Sequence, residues 1–126
     1  MKIVCQKSEL LNGVNIALKA IPAKTTMPIL ECIVIEASDT GIKLTANDME
    51  LGIETLVKGD VVSNGVIAIN AKIFAEIIRK LPDSDITLEC DDNFQMTIRC
   101  EKSVFQIAGK SSDEFPSLPD IMKKDA

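Results

Sequence analysis

The chain has 126 residues, 46% of them hydrophobic and 26% charged, with a formal net charge of −5. That length fits one domain able to bury roughly two-thirds of its unfolded surface, and the balance excludes collagen, coiled coil and wholesale disorder. No uncharged apolar run is long enough to span a membrane, and the start, Met1-Lys2-Ile3-Val4-Cys5-Gln6-Lys7-Ser8-Glu9, turns polar too soon for a signal peptide.

Residues 2 to 6 read as a short strand. Ser8 fits a helix N-cap with Glu9 in the first turn. Leu10, Leu11, Val14, Ala17, Leu18 and Ile21 then recur at helical spacing until Pro22 ends the run. Ala23 to Pro28 is loop by composition, Ile29 to Ala37 a strand, Ser38 to Gly41 a turn, and Ile42 to Ala46 a further strand. Met49, Leu51, Ile53, Thr55 and Val57 alternate through another, closed by Lys58-Gly59-Asp60. The pattern then restarts. Gly65 to Ile69 is a strand, Asn70 an N-cap, and Ala71 to Leu81 a helix with Ile73, Phe74, Ile77, Ile78 and Leu81 on one face. Pro82 stops it, and Ile86 to Cys90, Phe94-Met96-Ile98-Cys100 and Val104 to Ala108 follow as three strands.

The order is strand, helix, three strands, twice over. It predicts an α+β fold of two βαβββ units with pseudo-twofold symmetry, two helices packing on antiparallel sheets. The repeat is one of architecture, since no residue-level self-similarity is visible. After Gly109 the chain becomes polar and Pro-rich through Phe115-Pro116-Ser117-Leu118-Pro119 and runs out at Lys123-Lys124-Asp125-Ala126. Residues 1–119 are therefore expected to form the domain and 120–126 the start of a linker within a longer chain.

Chemistry is constrained by what is missing. There is no His, Trp or Tyr, which removes the usual general base, Ser-His and Cys-His nucleophile pairs, and most zinc sites. Cys5, Cys32, Cys90 and Cys100 are widely spaced with no CxxC, so no metal or iron–sulfur spacing is present. With no export signal they read as small core residues of a cytoplasmic protein. Asn47 and Asp48 read as turn formers, and Gly59 and Gly65 frame no phosphate-binding loop. No catalytic residue, metal or cofactor is expected.

The helices stand apart in charge. Opposite its apolar stripe the first has Ser8, Asn12, Asn15 and Lys19; the second has Lys72, Glu76 and Arg79, with Lys80 beside them. Lys7, Lys19 and Lys24 against Glu9 make residues 7 to 24 +2, and Lys72, Arg79 and Lys80 against Glu76 make residues 71 to 81 +2. The remainder of the chain therefore carries −9. One reading is ordinary i,i+4 pairing among Lys72, Glu76 and Lys80 on solvated helices. The other is a surface that tracks phosphates. Charge alone does not choose between them.

From Thr26-Met27-Pro28-Ile29-Leu30, continued through Ile33, Ile35, Ala37, Leu44-Thr45, Asp48 and Glu50, the sequence resembles the N-terminal domain of the bacterial sliding-clamp family, the beta subunit of DNA polymerase III. Met1-Lys2-Ile3, Asn70-Ala71-Lys72 with Phe74, and Phe115-Pro116-Ser117-Leu118-Pro119 agree in order and spacing. The resemblance implies a DNA-clamp fold in one of three domains of a subunit. Two such subunits form a head-to-tail homodimer ring around double-stranded DNA, without sequence preference and without catalysis. It implies DNA contact by Lys24 and Lys72, with Lys19, Arg79, Lys80, Asn12 and Asn15 on or beside the same faces. Lys24 stands where the family commonly has Arg, keeping the charge without the planar fork. Phe105 and Ile107 match an edge strand at the subunit interface, with Ile73 near; plain core packing accounts for them equally well. DNA polymerase III and the clamp loader are expected to bind later domains. A small interaction module, or an enzyme using Lys with Asp or Glu, is the competing expectation. Two helices sharing one side favour the clamp, whereas an apolar pocket around a Lys favours the enzyme.

Overall fold

A computed structural model describes residues 1–22, 28–48 and 51–114. Strand β1 (Lys2–Gln6) runs into helix α1 (Lys7–Ala17) and a 3₁₀ turn, Leu18–Ala20. A second 3₁₀ turn, Pro28–Glu31, precedes strands β2 (Cys32–Ser38), β3 (Gly41–Asn47), β4 (Gly52–Val57) and β5 (Asp60–Ser63). Then come β6 (Gly65–Asn70), helix α2 (Ala71–Lys80), β7 (Asp85–Cys90), β8 (Gln95–Cys100), β9 (Ser103–Ala108) and a last 3₁₀ turn, Ser112–Glu114.

The two-unit reading holds with one addition, since the first unit carries a fourth strand after its helix, β5. The expected strand from Ile29 is also split: Pro28–Glu31 is 3₁₀ and the strand begins at Cys32. Helix α1 starts one residue before Ser8, with Gln6 at the N-cap and no side-chain cap bond. Ser8 is therefore a first-turn residue rather than a cap. Asn70 does cap α2, its Oδ1 accepting from the Ile73 N–H at 3.0 Å.

The strands form two antiparallel sheets in the orders β5-β1-β7-β8-β9 and β4-β3-β2-β6. Each unit lends its first strand to the other. β1 pairs with β7 in the register Ile3↔Leu88 and Cys5↔Ile86, while β6 pairs with β2 in the register Ile67↔Ile35 and Ile69↔Ile33. The inward faces of both sheets and the apolar sides of both helices merge into one core around Phe74, Ile33, Ile35, Leu44, Leu88 and Ile98. Helix α1 lies on β3 and β4. Gly13 allows that approach, because a Cβ there would stand 2.7 Å from Val57 Cγ2.

Alternate residues of β2 face the other way. Cys32 and Val34, with Ala68 of β6, pack there beneath Ile29 and Leu30 as a second small cluster. The Pro28-Ile29-Leu30 signature thus includes two apolar side chains that close the outer face of this sheet. Lys110 seals the β6 edge: Ala68 N–H donates to Lys110 O at 3.0 Å and Lys110 N–H to Ala68 O at 2.8 Å. Charged ladders cross both sheets. Lys43 Nζ lies 3.3 Å from Glu36 and 3.4 Å from Glu54, and Glu89 Oε1 lies 3.8 Å from Lys2 and 2.8 Å from Arg99. Being solvent-exposed, each pair contributes under about 1 kcal/mol.

Candidate nucleic-acid interface

The two helices present the predicted polar faces. Leu10, Gly13, Val14 and Ala17 of α1 are buried, and Ser8, Asn12 and Asn15 are exposed, with Lys19 exposed in the following 3₁₀ turn. In α2, Ala71, Phe74, Ala75 and Ile78 are buried, whereas Lys72, Glu76, Arg79 and Lys80 are exposed. The stripes meet across the helix pair, where Arg79 Nη2 donates to Asn15 Oδ1 at 3.3 Å. Lys24 lies outside the described residues, as do Met27, the Phe115-to-Pro119 segment and residues 120–126.

Two details weigh against the ordinary pairing of Lys72, Glu76 and Lys80. Among the described residues the ion pairs within 4.0 Å all lie on the sheets, and none joins these three. Lys72 also occupies the first turn of α2, the positive end of the helix dipole, where a cation costs helix stability. Its charge is directed outward.

Phe105 and Ile107 lie on β9, the edge strand of the five-stranded sheet. Both are half-buried and pack against the main core, opposite Ile98 and Met96. Core packing and an edge position thus coexist in the same residues. Val104, on the other side of the strand, is 57% exposed, and Ile73 on α2 is 50% exposed although it continues the apolar stripe.

Lys43 of β3 bears on the competing expectation of a lysine-based centre. Lys43 has its pKa raised: partial burial opposes the shift, but hydrogen bonding and attraction by Glu36, then Glu54, outweigh it. A nucleophilic lysine needs the reverse. One surface hollow of about 530 Å³ is lined by Ser38, Asp39, Thr40, Asp60 and Asn64 among others, and another of about 520 Å³ includes Lys58, which is exposed to solvent. All four cysteines are free thiols, and among the described residues no three His, Cys, Asp or Glu side chains form a metal-binding group. No helix among them is long and apolar enough to cross a membrane.

One residue of the helix pair escaped the sequence reading. Lys7, counted above with the basic surface, points its ammonium at main-chain oxygens of Arg79 and Leu81. Those partners lie 72 and 74 residues away, so no local spacing could reveal them.

Comparison with known proteins bears on the whole arrangement. The family described as DNA polymerase III beta subunit, N-terminal domain, matches residues 1–119. The beta sliding clamp of Halalkalibacterium halodurans is 38% identical over 133 aligned positions, covering 99% of this chain and 35% of that protein. A crystal structure from Eubacterium rectale, assigned to a DNA polymerase III beta subunit, superposes with a TM-score of 0.92 at 58% identity over 94% of this chain and 33% of its own. A Helicobacter pylori beta clamp bound to a DNA ligase peptide superposes at 0.87 with 32% identity, over 94% and 33%. The chain thus spans about a third of the length of these relatives. Its two-unit topology, its paired helices and a family match running from Met1 to Pro119 agree, and the chain belongs to the DNA polymerase III beta subunit family, matching the family's N-terminal domain.

Proposed function

We propose that the intact protein is a DNA replication processivity factor, a ring that slides on duplex DNA and tethers the replicative polymerase. Residues 1–119 are the first of three such domains, and 120–126 begin the linker to the second. Two subunits close head to tail in the cytoplasm. The ring performs no reaction; its work is topological. α1 and α2 form part of the inner wall, where Lys19, Lys72, Arg79 and Lys80 neutralise phosphates and Asn12 and Asn15 supply neutral contacts. Lys24, two residues before Thr26 in the sequence, joins them. Contacts of this kind carry no sequence information, which is what sliding requires. β9 meets the neighbouring subunit through Phe105 and Ile107, with Ile73 alongside. DNA polymerase III and the clamp loader bind the later domains, and a ligase peptide of the kind held by the Helicobacter pylori clamp is a partner of the same class.

A single observation carries this reading. In a chain of net charge −5, the exposed polar faces of two helices meet at one seam, joined by Arg79 and Asn15, in a family of clamps. The test uses charge reversal in the intact protein. Lys19→Glu with Lys72→Glu should shorten retention on circular duplex DNA by roughly tenfold or more and lower the salt slope by about 0.9 for each phosphate left unneutralised. Lys58→Glu with Lys102→Glu, at exposed positions in turns between strands, should change neither. Equal effects from both pairs would overturn the assignment of the helices to the inner wall.

A further inference from the structure

Helix α2 ends abruptly. Leu81 leaves it in extended conformation, φ −76° and ψ 154°, and Pro82 follows with no N–H to donate. Ile78 O accepts from Leu81 N–H at 3.2 Å, but the last carbonyls of a helix have no partner within it. Lys7, the first residue of α1, supplies one from outside. Its Nζ donates to Arg79 O at 3.0 Å and to Leu81 O at 2.6 Å. Its own main-chain N–H donates to Ser84 O at 3.1 Å. The ammonium sits at the negative end of the α2 dipole, where a cation is stabilising. Arg79 is thus held twice, by Lys7 at its carbonyl and by Asn15 at its guanidinium.

We propose that Lys7 is a positioning residue, which fixes the last turn of α2 so that Arg79 is presented on the DNA-facing seam. The proposal rests on the reading of that seam as a DNA surface. Lys7 bears the same charge as Lys19 and Lys72 but plays a different part, its ammonium being committed to two carbonyls rather than offered to phosphate.

A double-mutant cycle on the intact protein separates positioning from direct contact. Lys7→Met keeps the stem and removes charge and donors. It should shorten retention on circular duplex DNA about threefold to tenfold, as Arg79→Met should, a loss equivalent to about 0.7–1.4 kcal/mol and within the range of one ordinary hydrogen bond. In the Arg79→Met background, Lys7→Met should cause no further loss. Lys7→Arg, still able to donate to both carbonyls, should restore retention. Amide exchange in the peptide spanning Ile77 to Asp83 should be about tenfold faster in Lys7→Met. Losses that add across the cycle would overturn the proposal, because Lys7 would then touch DNA itself. Unchanged exchange at the end of α2 would overturn it as well. If Arg79→Met alone leaves retention intact, the positioning role falls, while the DNA reading is judged separately by the Lys19 and Lys72 pair.

Discussion

Cys5 is 3% exposed on β1, opposite Ile86 of β7. Burial pushes its thiol from 9.0 up to about 12, with Asp85 and then Glu9 adding to the shift. The folded state therefore holds this proton more tightly than the unfolded chain does. The associated stability is complete below pH 9 and is lost as pH rises from there toward 12. By about pH 10.5 the loss should be on the order of 2 kcal/mol. Urea unfolding of wild type and Cys5→Ala at several alkaline pH values checks this: the wild type should lose stability more steeply, and parallel curves would contradict it. Strand alternation made this burial legible in advance for Cys100 and for the main run of core residues. Cys90 differs, being half-buried at the end of its strand beside the Met1 amine, and desolvation raises its thiol pKa as the dominant cause. Where a strand ends relative to a chain terminus is a tertiary fact, which alternation does not encode.

At the scale of elements, the helix faces were the most legible part of the sequence. A 3.6-residue period fixes which side chains share a stripe before any partner is known, and Asn12, Asn15, Lys72, Glu76 and Arg79 are all exposed as that period requires. The period does not say that two stripes will adjoin, and the Asn15–Arg79 bond came only from the fold. β5 was illegible for a related reason. Asp60-Val61-Val62-Ser63 is a strand because β1 lies beside it, with Ile3 opposite Val61, a pairing across nearly half the chain. Gly13 illustrates the opposite case, where local preference and packing conflict. Alanine would improve helix propensity by about 1 kcal/mol, but its Cβ would stand 2.7 Å from Val57 Cγ2 and 3.2 Å from Leu44 Cδ1. Overpacking, at roughly 1–3 kcal/mol, should prevail. Gly13→Ala is expected to destabilise the domain by about 1 kcal/mol, read as a lower urea midpoint. A raised midpoint would show that β4 yields easily.

For the molecule as a whole, the proposed ring depends on edges. β4, β5, β6 and β9 are the four edge strands of the two sheets, and β6 is sealed by Lys110. Among the described residues β9 has no partner on its outer edge, and it bears Val104 on its exposed side. Lysine on an edge strand discourages strand-to-strand association, and an exposed position tolerates it within about 0.5 kcal/mol. Val104→Lys should therefore leave the unfolding midpoint of the intact protein unchanged while weakening subunit association, measured by sedimentation. Unaltered association would remove β9 from the interface. The exchange of β1 and β6 between the units has a further consequence, one of timing. Ile3 and Cys5 leave the ribosome well ahead of their β7 partners, Leu88 and Ile86, which are made about 80 residues later. At the usual rate of synthesis that is an interval of roughly 4–16 s. Throughout it the β2–β4 meander can pair locally, but β1 has no β7 to join. The first strand of this domain is thus among the last to be placed, and the domain closes only when its second unit has emerged.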